Sequence, residues 1–457
     1  MGIVNLIKNL HIKIKKFIDR KGWDFKRLPS VLSPLEKIII MILIIVVLGT
    51  SATGIYSRYY RNAEIVPAYG GRLTEGILSD DLDKEVVRLL KCGLTRFDQQ
   101  GNVQGDLAVN WEITNENKTY VFHLVPNVNA SDIAAVISSH SDTWKDINVE
   151  VMDTSTIKFD LNQPYSPFLA LATEPIFPYG PYILKEQSKK NVVLAARTDY
   201  HLGRPNIKEI EFILYQDRGK LEDAYNKGKI MAMGDEQEPK ESYTVYQEKL
   251  PKYLVLFFNL RRSSWDTKDL REKLANNQPI GGELPLTLVT VDSPYEVEKA
   301  KKIKELWDPL GVKLNIVTGD KIDIQKNIIP DRNYDLLLYG IDYGSDPDPY
   351  PFWHSSQINP PGMNLSGFSS KDADRLLEQG RQITDEAKRA ELYQNFQKIL
   401  DSEKPAIFLE QSTYSYSISN KVKGVVAPQR AITSSDRFLD VSQWYIKTRK
   451  QKSQQGS

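Results

Sequence analysis

The sequence predicts a mixed α/β fold preceded by one membrane-spanning helix. Three features support this prediction: a charge-free apolar stretch near the N-terminus, a strand–helix–strand pattern after Pro285, and a buried strand, Leu336–Tyr339, that ends in an acidic, aromatic loop. The chain of 457 residues is long enough for two or three domains with hydrophobic cores. Its 60 Lys and Arg nearly balance its 59 Asp and Glu, so the charge gives no indication of a nucleic-acid partner.

The apolar stretch Ile38–Tyr56 carries no charge and has the length of a membrane-spanning helix. Ser33-Pro34-Leu35-Glu36 is a capping box that marks its start. Segment 1–37 has a formal charge of +6, and the positive-inside rule therefore keeps it in the cytoplasm. We expect a single-pass cell-membrane protein whose folded part is extracytoplasmic. The alternative is a signal peptide cleaved near the small residues Gly49–Ala52, but so long a basic segment favours an uncleaved anchor.

The exported part is predicted to begin with a tether over 57–63 and to end in a polar tail over 450–457. Short strands bounded by turn residues alternate with amphipathic helical patterns in between. Strands are predicted at Thr119–Leu124, Ile147–Met152, Thr156–Leu161, Val192–Ala196, Ile207–Leu214, Tyr253–Leu260, Leu286–Val291, Val312–Val317, Leu336–Tyr339, Ala406–Leu409 and Thr413–Ile418. Helices are predicted at Asp80–Cys92, 131–139, Lys220–Gly228, 294–307, Lys371–Gln382 and Asp385–Leu400.

Motifs for nucleotide binding and for a serine nucleophile elbow are absent from the sequence. The histidines are scattered, with no pair four residues apart, and the single cysteine, Cys92, lies in an apolar run. The acids Asp342, Asp346 and Asp348 could hydrolyse glycosides, although acids in a proline-rich loop more often form turns. We therefore predict no catalytic residue, no metal site and no cofactor, and a protein that is not an enzyme.

Seven runs in order resemble the extracellular solute-binding proteins of peptide ABC importers, known as family 5. They extend over nearly the whole exported part, and they include GPYILKE followed by RTDYHLGRPNIKEIEF, and YDLLLYGIDYGSDPDPY followed by NLSGFSS. The runs are Gly70–Ile77, Leu89–Leu124, Asn148–Thr173, Gly180–Glu186 with Arg197–Phe212, Tyr334–Tyr350, Asn364–Ser370 and Asp385–Leu409.

The resemblance implies a two-lobed periplasmic-binding-protein fold of type II with a small insert domain. Lobe I is then expected at 64–100, 179–260 and 428–449, the insert domain at 101–178 and lobe II at 261–427. Members of the family bind extended peptides between lobes that close about a hinge. The insert is short here, and the segment after Leu274 is reduced relative to the family.

The resemblance also implies a ligand site. Family members often hold the amino end of the peptide with a carboxylate that follows the strand matching Leu336–Tyr339, and the position here is Asp342. Asp346 could share that role because the loop is one residue longer than usual. The candidate ligand-binding residues are Asp342, Tyr339, Tyr343, Asp346, Trp353 and Asn364.

The expected function is a membrane-anchored binding subunit that delivers short peptides to the permease subunits of an ABC importer. Ile38–Tyr56 would contact the lipid bilayer, and no nucleic acid would be bound. One alternative is a binding-fold sensor or scaffold that has lost transport. Others are a binder of a non-peptide solute and, from the acidic loop, a glycoside hydrolase.

Overall fold

A computed structural model describes residues 8, 11–13, 15–16, 33–60, 63–78, 82–140, 144, 147–235, 240–265 and 267–452. Most of the basic segment 1–37 and residues 453–457 of the predicted tail lie outside this part of the chain. The contacts divide the chain into two units, one made of residues 1–68 and 448–457 and the other of residues 69–447.

The first unit contains helix α1, Pro34–Tyr60. The capping box is confirmed, because the backbone N–H of Ser33 donates to the Glu36 carboxylate at 2.9 Å and the Glu36 N–H donates back to the Ser33 hydroxyl at 3.4 Å. Within the described residues, Pro34–Gly54 is the one helix that is long and apolar enough to cross a membrane, by length and composition.

The ends of the first unit differ from the prediction. Residues 57–60, expected in a tether, continue α1, because neither Pro nor Gly follows Gly54 to end it. Strand β1, Ala63–Ala68, then pairs with β18, Lys447–Lys452, which extends into the predicted polar tail. The pairing partner of each strand is almost 400 residues away, and a local sequence pattern could not reveal it.

Ten strands of the second unit form one sheet, in the order β15-β14-β16-β13-β17-β12-β2-β11-β10-β9. Their bounds are β2 Arg72–Leu78, β9 Tyr182–Gln187, β10 Asn191–Ala196, β11 Glu209–Tyr215, β12 Ala232–Gly234, β13 Tyr243–Phe258, β14 Leu284–Val291, β15 Val312–Gly319, β16 Leu336–Asp342 and β17 Ala406–Ser419. The predicted parallel layer is confirmed, because β14 pairs in parallel with both β15 and β16. A second parallel set, β2 with β11 and β12, lies toward the other edge.

The two longest strands, β13 and β17, are antiparallel and connect these two parallel sets. The sequence predicted only the second half of β13, and it predicted β17 as two strands separated at Glu410. The structure shows one continuous strand in each case. Polar residues interrupt the apolar patterns, but each strand stays extended because the other supplies its ladder of hydrogen bonds.

A smaller antiparallel sheet, in the order β5-β6-β8-β7, lies within 101–178. Its strands are β5 Ala108–Thr114, β6 Thr119–Leu124, β7 Ile147–Val151 and β8 Thr156–Leu161, and a two-stranded ribbon of β3 Thr95–Phe97 and β4 Val103–Gly105 precedes it. Helix α3, Ala130–Ser139, packs on this sheet around a cluster of Phe122, Phe159 and Phe168. Cys92, which lies in an apolar run of the sequence, is buried in the same core, and burial raises the pKa of its thiol well above the usual value.

The remaining helices cover the large sheet or connect its strands. They are α2 Leu82–Leu90, α4 Phe168–Leu171, α5 Arg218–Asn226, α6 Lys268–Ala275, α7 Pro294–Trp307, α8 Lys321–Asp323, α9 Ile329–Asp331, α10 Tyr350–Trp353, α11 Lys371–Gln382 and α12 Glu386–Glu403. A π-helical turn, Ile324–Ile328, joins α8 to α9. Helices α7, α11 and α12 confirm the predicted helices, and α7 has Ser293 as its N-cap and Pro294 at its first position.

Candidate functional site

Asp342 is the last residue of β16 and carries an exposed carboxylate. Leu336, Leu337, Leu338 and Tyr339 before it are all buried, so the strand is fixed in the sheet up to the point where the carboxylate emerges. The side chain of Asp342 is 50% exposed, and its Oδ2 lies 3.4 Å from the ammonium of Lys252. Its Oδ1 accepts a hydrogen bond from the Gly344 N–H at 2.9 Å. The carboxylate is therefore oriented by its own turn but remains accessible to a ligand.

Strand β13, which pairs with β16, is irregular next to Asp342. Lys252 of β13 is opposite Asp342 in the register, and the pairing of β13 with β17 shifts between Lys249 and Tyr253. Pro251, which has no N–H to donate, accepts a hydrogen bond from the Tyr343 N–H at 2.9 Å. The acidic loop thus begins with a hydrogen bond to the segment of β13 where its pairing with β17 is irregular.

An aromatic cluster adjoins this point and contains two of the predicted ligand residues. The Tyr343 ring makes edge contacts with Tyr253 at 5.5 Å and with Phe352 at 5.3 Å. The indole N–H of Trp353 donates to the Tyr343 hydroxyl at 3.1 Å. Burial raises the pKa of Tyr343 well above its usual value, so this hydroxyl stays neutral. Trp353 is 0% exposed and packs on Phe408 with ring centroids 5.8 Å apart.

Two carboxylates of the same loop are buried and face arginines. Asp346 Oδ2 lies 3.0 Å from the Arg389 guanidinium, and Asp348 Oδ2 lies 2.7 Å from that of Arg381. Burial raises the pKa of Asp346, and the positive charge of Arg389 opposes this rise. Arg381 also lies over the Tyr350 ring at 3.9 Å. These contacts are those of structural ion pairs, in which each acid faces one guanidinium.

The acidic loop and the helices behind it also contact distant segments. The Ser166 N–H donates to the Arg381 carbonyl at 2.8 Å, and Arg389 donates to the Ser166 hydroxyl at 3.2 Å. Arg430 donates to the Ser345 carbonyl and lies over the Phe97 ring at 4.3 Å. These contacts link residues expected in lobe II with residues expected in the insert domain and in lobe I.

Two predicted ligand residues lie in the interior instead. Tyr339 is buried, and its hydroxyl accepts a hydrogen bond from the Gln325 amide at 2.9 Å. Asn364 is 0% exposed, and its amide donates to the carbonyls of Trp353 at 3.2 Å and Phe368 at 2.8 Å. Asn364 thus fixes the fold of its own loop. The structure brings Asp342, Tyr343 and Trp353 together and places Asp346 further along the same loop. The polar atoms of Tyr339 and Asn364 are bonded in the interior, and Asn364 contacts the Trp353 carbonyl itself.

A buried charged network lies at Glu75 of β2, and no sequence pattern predicts it. Arg437 pairs with both Glu75 and Glu85, and the Tyr416 hydroxyl donates to Glu75 at 2.8 Å. Glu75 is 0% exposed, and burial raises the pKa of its carboxyl although Arg437 opposes the rise. The four residues come from three segments far apart in the chain, so spacing could not identify them.

A small cavity of about 30 Å³ opens at the ends of β2 and β12, next to this network. Glu85, Arg218, Asp235 and Tyr414 contribute to its lining. The buried Tyr414 hydroxyl has no hydrogen-bond partner within the part of the chain that the structure describes. It lies against Gly234, where an added Cβ would be 2.7 Å from it, so only glycine fits there. The space is about the size of one water molecule.

Comparison with known proteins identifies relatives of one kind. Residues 102–277 match the family model of the bacterial extracellular solute-binding proteins, family 5. A probable D,D-dipeptide-binding periplasmic protein of Escherichia coli (strain K12) is 23% identical over 433 residues, which cover 71% of this chain and 82% of that protein.

Solved structures give the same fold. The oligopeptide-binding protein of Bacillus subtilis, in complex with a nonapeptide, superposes with a TM-score of 0.64 at 16% identity, covering 83% of this chain and 99% of that one. A Campylobacter jejuni protein in complex with Ni(L-His) gives 0.62 at 19% identity, covering 82% and 99%. The ligands of these two proteins differ in kind, so the shared fold does not by itself determine the solute.

Proposed function

Because this chain belongs to the family 5 bacterial extracellular solute-binding proteins, we propose that it is the membrane-anchored, substrate-binding subunit of an ABC importer and that it binds short peptides. The cleft would lie between lobe I, at 64–100, 179–260 and 428–449, and lobe II, at 261–427, with 101–178 as an insert. The two parallel strand sets and the strands β13 and β17 that connect them support this division. The permease subunits would receive the peptide from the extracytoplasmic side.

The observation that carries the peptide proposal is the exposed carboxylate of Asp342. Its contact with Lys252 at 3.4 Å is a half-exposed ion pair, and such pairs contribute only about 0–1 kcal/mol. A peptide ammonium can therefore replace Lys252 at little cost. When the cleft closes and excludes water, the new charge-assisted hydrogen bond becomes stronger than the one it replaces.

Tyr343 and Trp353 would support the site next to the Asp342 carboxylate. Trp353 is buried, Tyr343 is half-buried, and the Trp353 N–H donates to the Tyr343 hydroxyl, so the two rings would form the wall of the site. We retain Asp346 as a residue of the surrounding loop. We propose only interior, supporting roles for Tyr339 and Asn364, since their polar atoms already have protein partners.

Replacing Asp342 by Asn tests the proposal. We expect the affinity for short peptides with a free amino end to fall about 10- to 100-fold, because a hydrogen bond to a charged group contributes roughly 1.5–3 kcal/mol. Affinity for the same peptides with an acetylated amino end should stay unchanged. Titration calorimetry on the full chain in detergent micelles measures both.

The matched control is Asp269→Asn, whose carboxylate is also exposed and paired with a lysine, Lys273, at 2.6 Å. This variant should bind both peptides like the unchanged protein. An Asp342→Asn variant that weakens free and acetylated peptides equally would show that the carboxylate does not hold the amino end.

We also propose that α1 remains attached as the membrane anchor. Its apolar stretch and capped start support this, as does the basic segment before it. Intact mass spectrometry of the protein extracted from membranes washed with alkaline carbonate should give a mass that includes α1 and the basic segment before it. A chain that begins between residues 50 and 54 would instead identify the segment as a cleaved signal peptide.

The second candidate function is a sensor or scaffold that has lost transport. It is favoured by Asp342 itself, whose carboxylate already has two protein partners, the Lys252 ammonium and the Gly344 N–H. Such a protein would be stabilised by no peptide and would be insensitive to Asp342→Asn.

A further inference from the structure

The ribbon formed by β1 and β18 presents a strongly basic strand. The sequence of β18, KTRKQK, has four basic residues and no acid, and β1 contributes the single acid Glu64. The side chains of Lys447, Arg449 and Lys450 are all exposed. The ribbon thus carries an excess of positive charge on a short, extended surface.

This ribbon is a sheet of only two strands. Its sheet consists of β1 and β18 alone, and Ile65 of β1 is 71% exposed. Two-stranded sheets are only marginally stable in water unless a further surface covers them. A partner that covers the ribbon would therefore stabilise it.

The position of the ribbon in the chain indicates what that partner is. Helix α1 ends at Tyr60 and β1 begins at Ala63, so at most about 11 Å of chain separates them. The apolar part Pro34–Gly54 is about 31 Å long, which matches the hydrocarbon thickness of a bilayer. The last six residues of α1 add about 9 Å, enough to cross the head-group layer.

We propose that the β1–β18 ribbon lies on the outer surface of the membrane that α1 spans and that its basic strand binds the phosphate groups of anionic lipids. The proposal rests on the anchoring part of the proposed function. Basic side chains close to a bilayer are attracted to anionic head groups, and the attraction decays within about 8–10 Å at moderate salt. The short connection to α1 holds the start of β1 close to the head groups, and a ribbon that lies flat on the surface brings β18 within this range.

The test is hydrogen exchange on the full chain in lipid nanodiscs. One set of discs contains phosphatidylcholine only, and the other contains phosphatidylcholine with 30% phosphatidylglycerol. We expect the amides of 63–68 and 447–452 to exchange about tenfold more slowly in the anionic discs, because lipid binding favours the closed ribbon by mass action. The difference should disappear at 0.5 M salt, and soluble glycerol phosphate added to the neutral discs should not reproduce it.

Two variants make the test specific. The variant Lys447→Gln/Arg449→Gln/Lys450→Gln/Lys452→Gln should lose the difference while exchanging like the unchanged protein in neutral discs, which shows that its ribbon still forms. A matched variant, Lys301→Gln/Lys304→Gln/Lys321→Gln/Lys326→Gln, should retain the difference. Equal exchange in both discs for a correctly inserted chain would overturn the proposal. Failure of the chain to insert would instead contradict the anchor.

Discussion

Replacing Arg437 by Met is expected to lower the free energy of unfolding by about 3–5 kcal/mol, as is usual when one partner of a buried ion pair is removed. Arg437 is the countercharge of both Glu75 and Glu85, and Glu75 is 0% exposed. The substitution also removes the guanidinium that lies over the Phe438 ring at 4.1 Å. Urea denaturation followed by tryptophan fluorescence measures the loss.

The unfolding free energy lost in Arg437→Met should increase from pH 5 to pH 8. Burial already raises the pKa of Glu75 in the folded protein, and Arg437 opposes the rise, so removing Arg437 raises this pKa further. A carboxyl whose pKa is higher in the folded than in the unfolded state binds more protons when folded. Stability is therefore retained below the unfolded value and lost as the pH rises toward the folded value.

Two further variants complete this experiment. Glu75→Gln/Arg437→Met should recover part of the stability and remove the additional pH dependence, since no uncompensated charge remains on residue 75. Arg375→Met is the matched control, because its side chain is 65% exposed and its pair with Asp372 is on the surface. It should change stability by less than about 0.5 kcal/mol. A loss that does not depend on pH would contradict the assigned role of Glu75.

Replacing Trp353 by Ala should also cost about 3–5 kcal/mol of unfolding free energy. The side chain is 0% exposed between Phe257 and Phe408, each with its ring centroid 5.8 Å away, so truncation leaves a cavity. The same denaturation experiment measures the change. Tyr295→Ala, at an aromatic residue that is 46% exposed, is the control and should cost less than about 1 kcal/mol.

Trp353→Phe separates packing from ligand contact. It keeps most of the buried ring but loses the hydrogen bond to Tyr343, so stability should fall by about 0.5–1.5 kcal/mol. Peptide affinity should remain within a few-fold of the unchanged protein. A folded Trp353→Phe variant that no longer binds peptide would place this ring in direct contact with the ligand.

Local pattern predicted much of the sheet and helix content. The strand at Leu336–Tyr339 is recognisable because a run of large apolar residues suits a strand buried on both faces. Helix α7 is recognisable because Ser293 and Pro294 mark its start. The first half of β13 was missed because its polar residues are half-exposed and are held extended by β17, whose pairing is not local.

The chemistry of the site depends on contacts that the sequence does not show. The sequence does not distinguish the three aspartates of the loop. Asp342 is exposed, whereas Asp346 pairs with Arg389 and Asp348 pairs with Arg381, on helices that follow later in the chain. Their roles follow from the packing of α11 and α12 against the loop. The sequence shows that the loop is aromatic but not that Tyr343 and Trp353 contact each other, and the burial of Asn364 likewise depends on the folded loop.

Native mass spectrometry of the full chain, purified from its own cells in mild detergent, tests the central claim most directly. We predict bound species with the masses and fragmentation of short peptides, which are lost when the protein is unfolded. The bound fraction should fall strongly in the Asp342→Asn variant and stay unchanged in Asp269→Asn. A bound solute that is not a peptide, or a bound peptide that is retained fully by Asp342→Asn, would contradict the account.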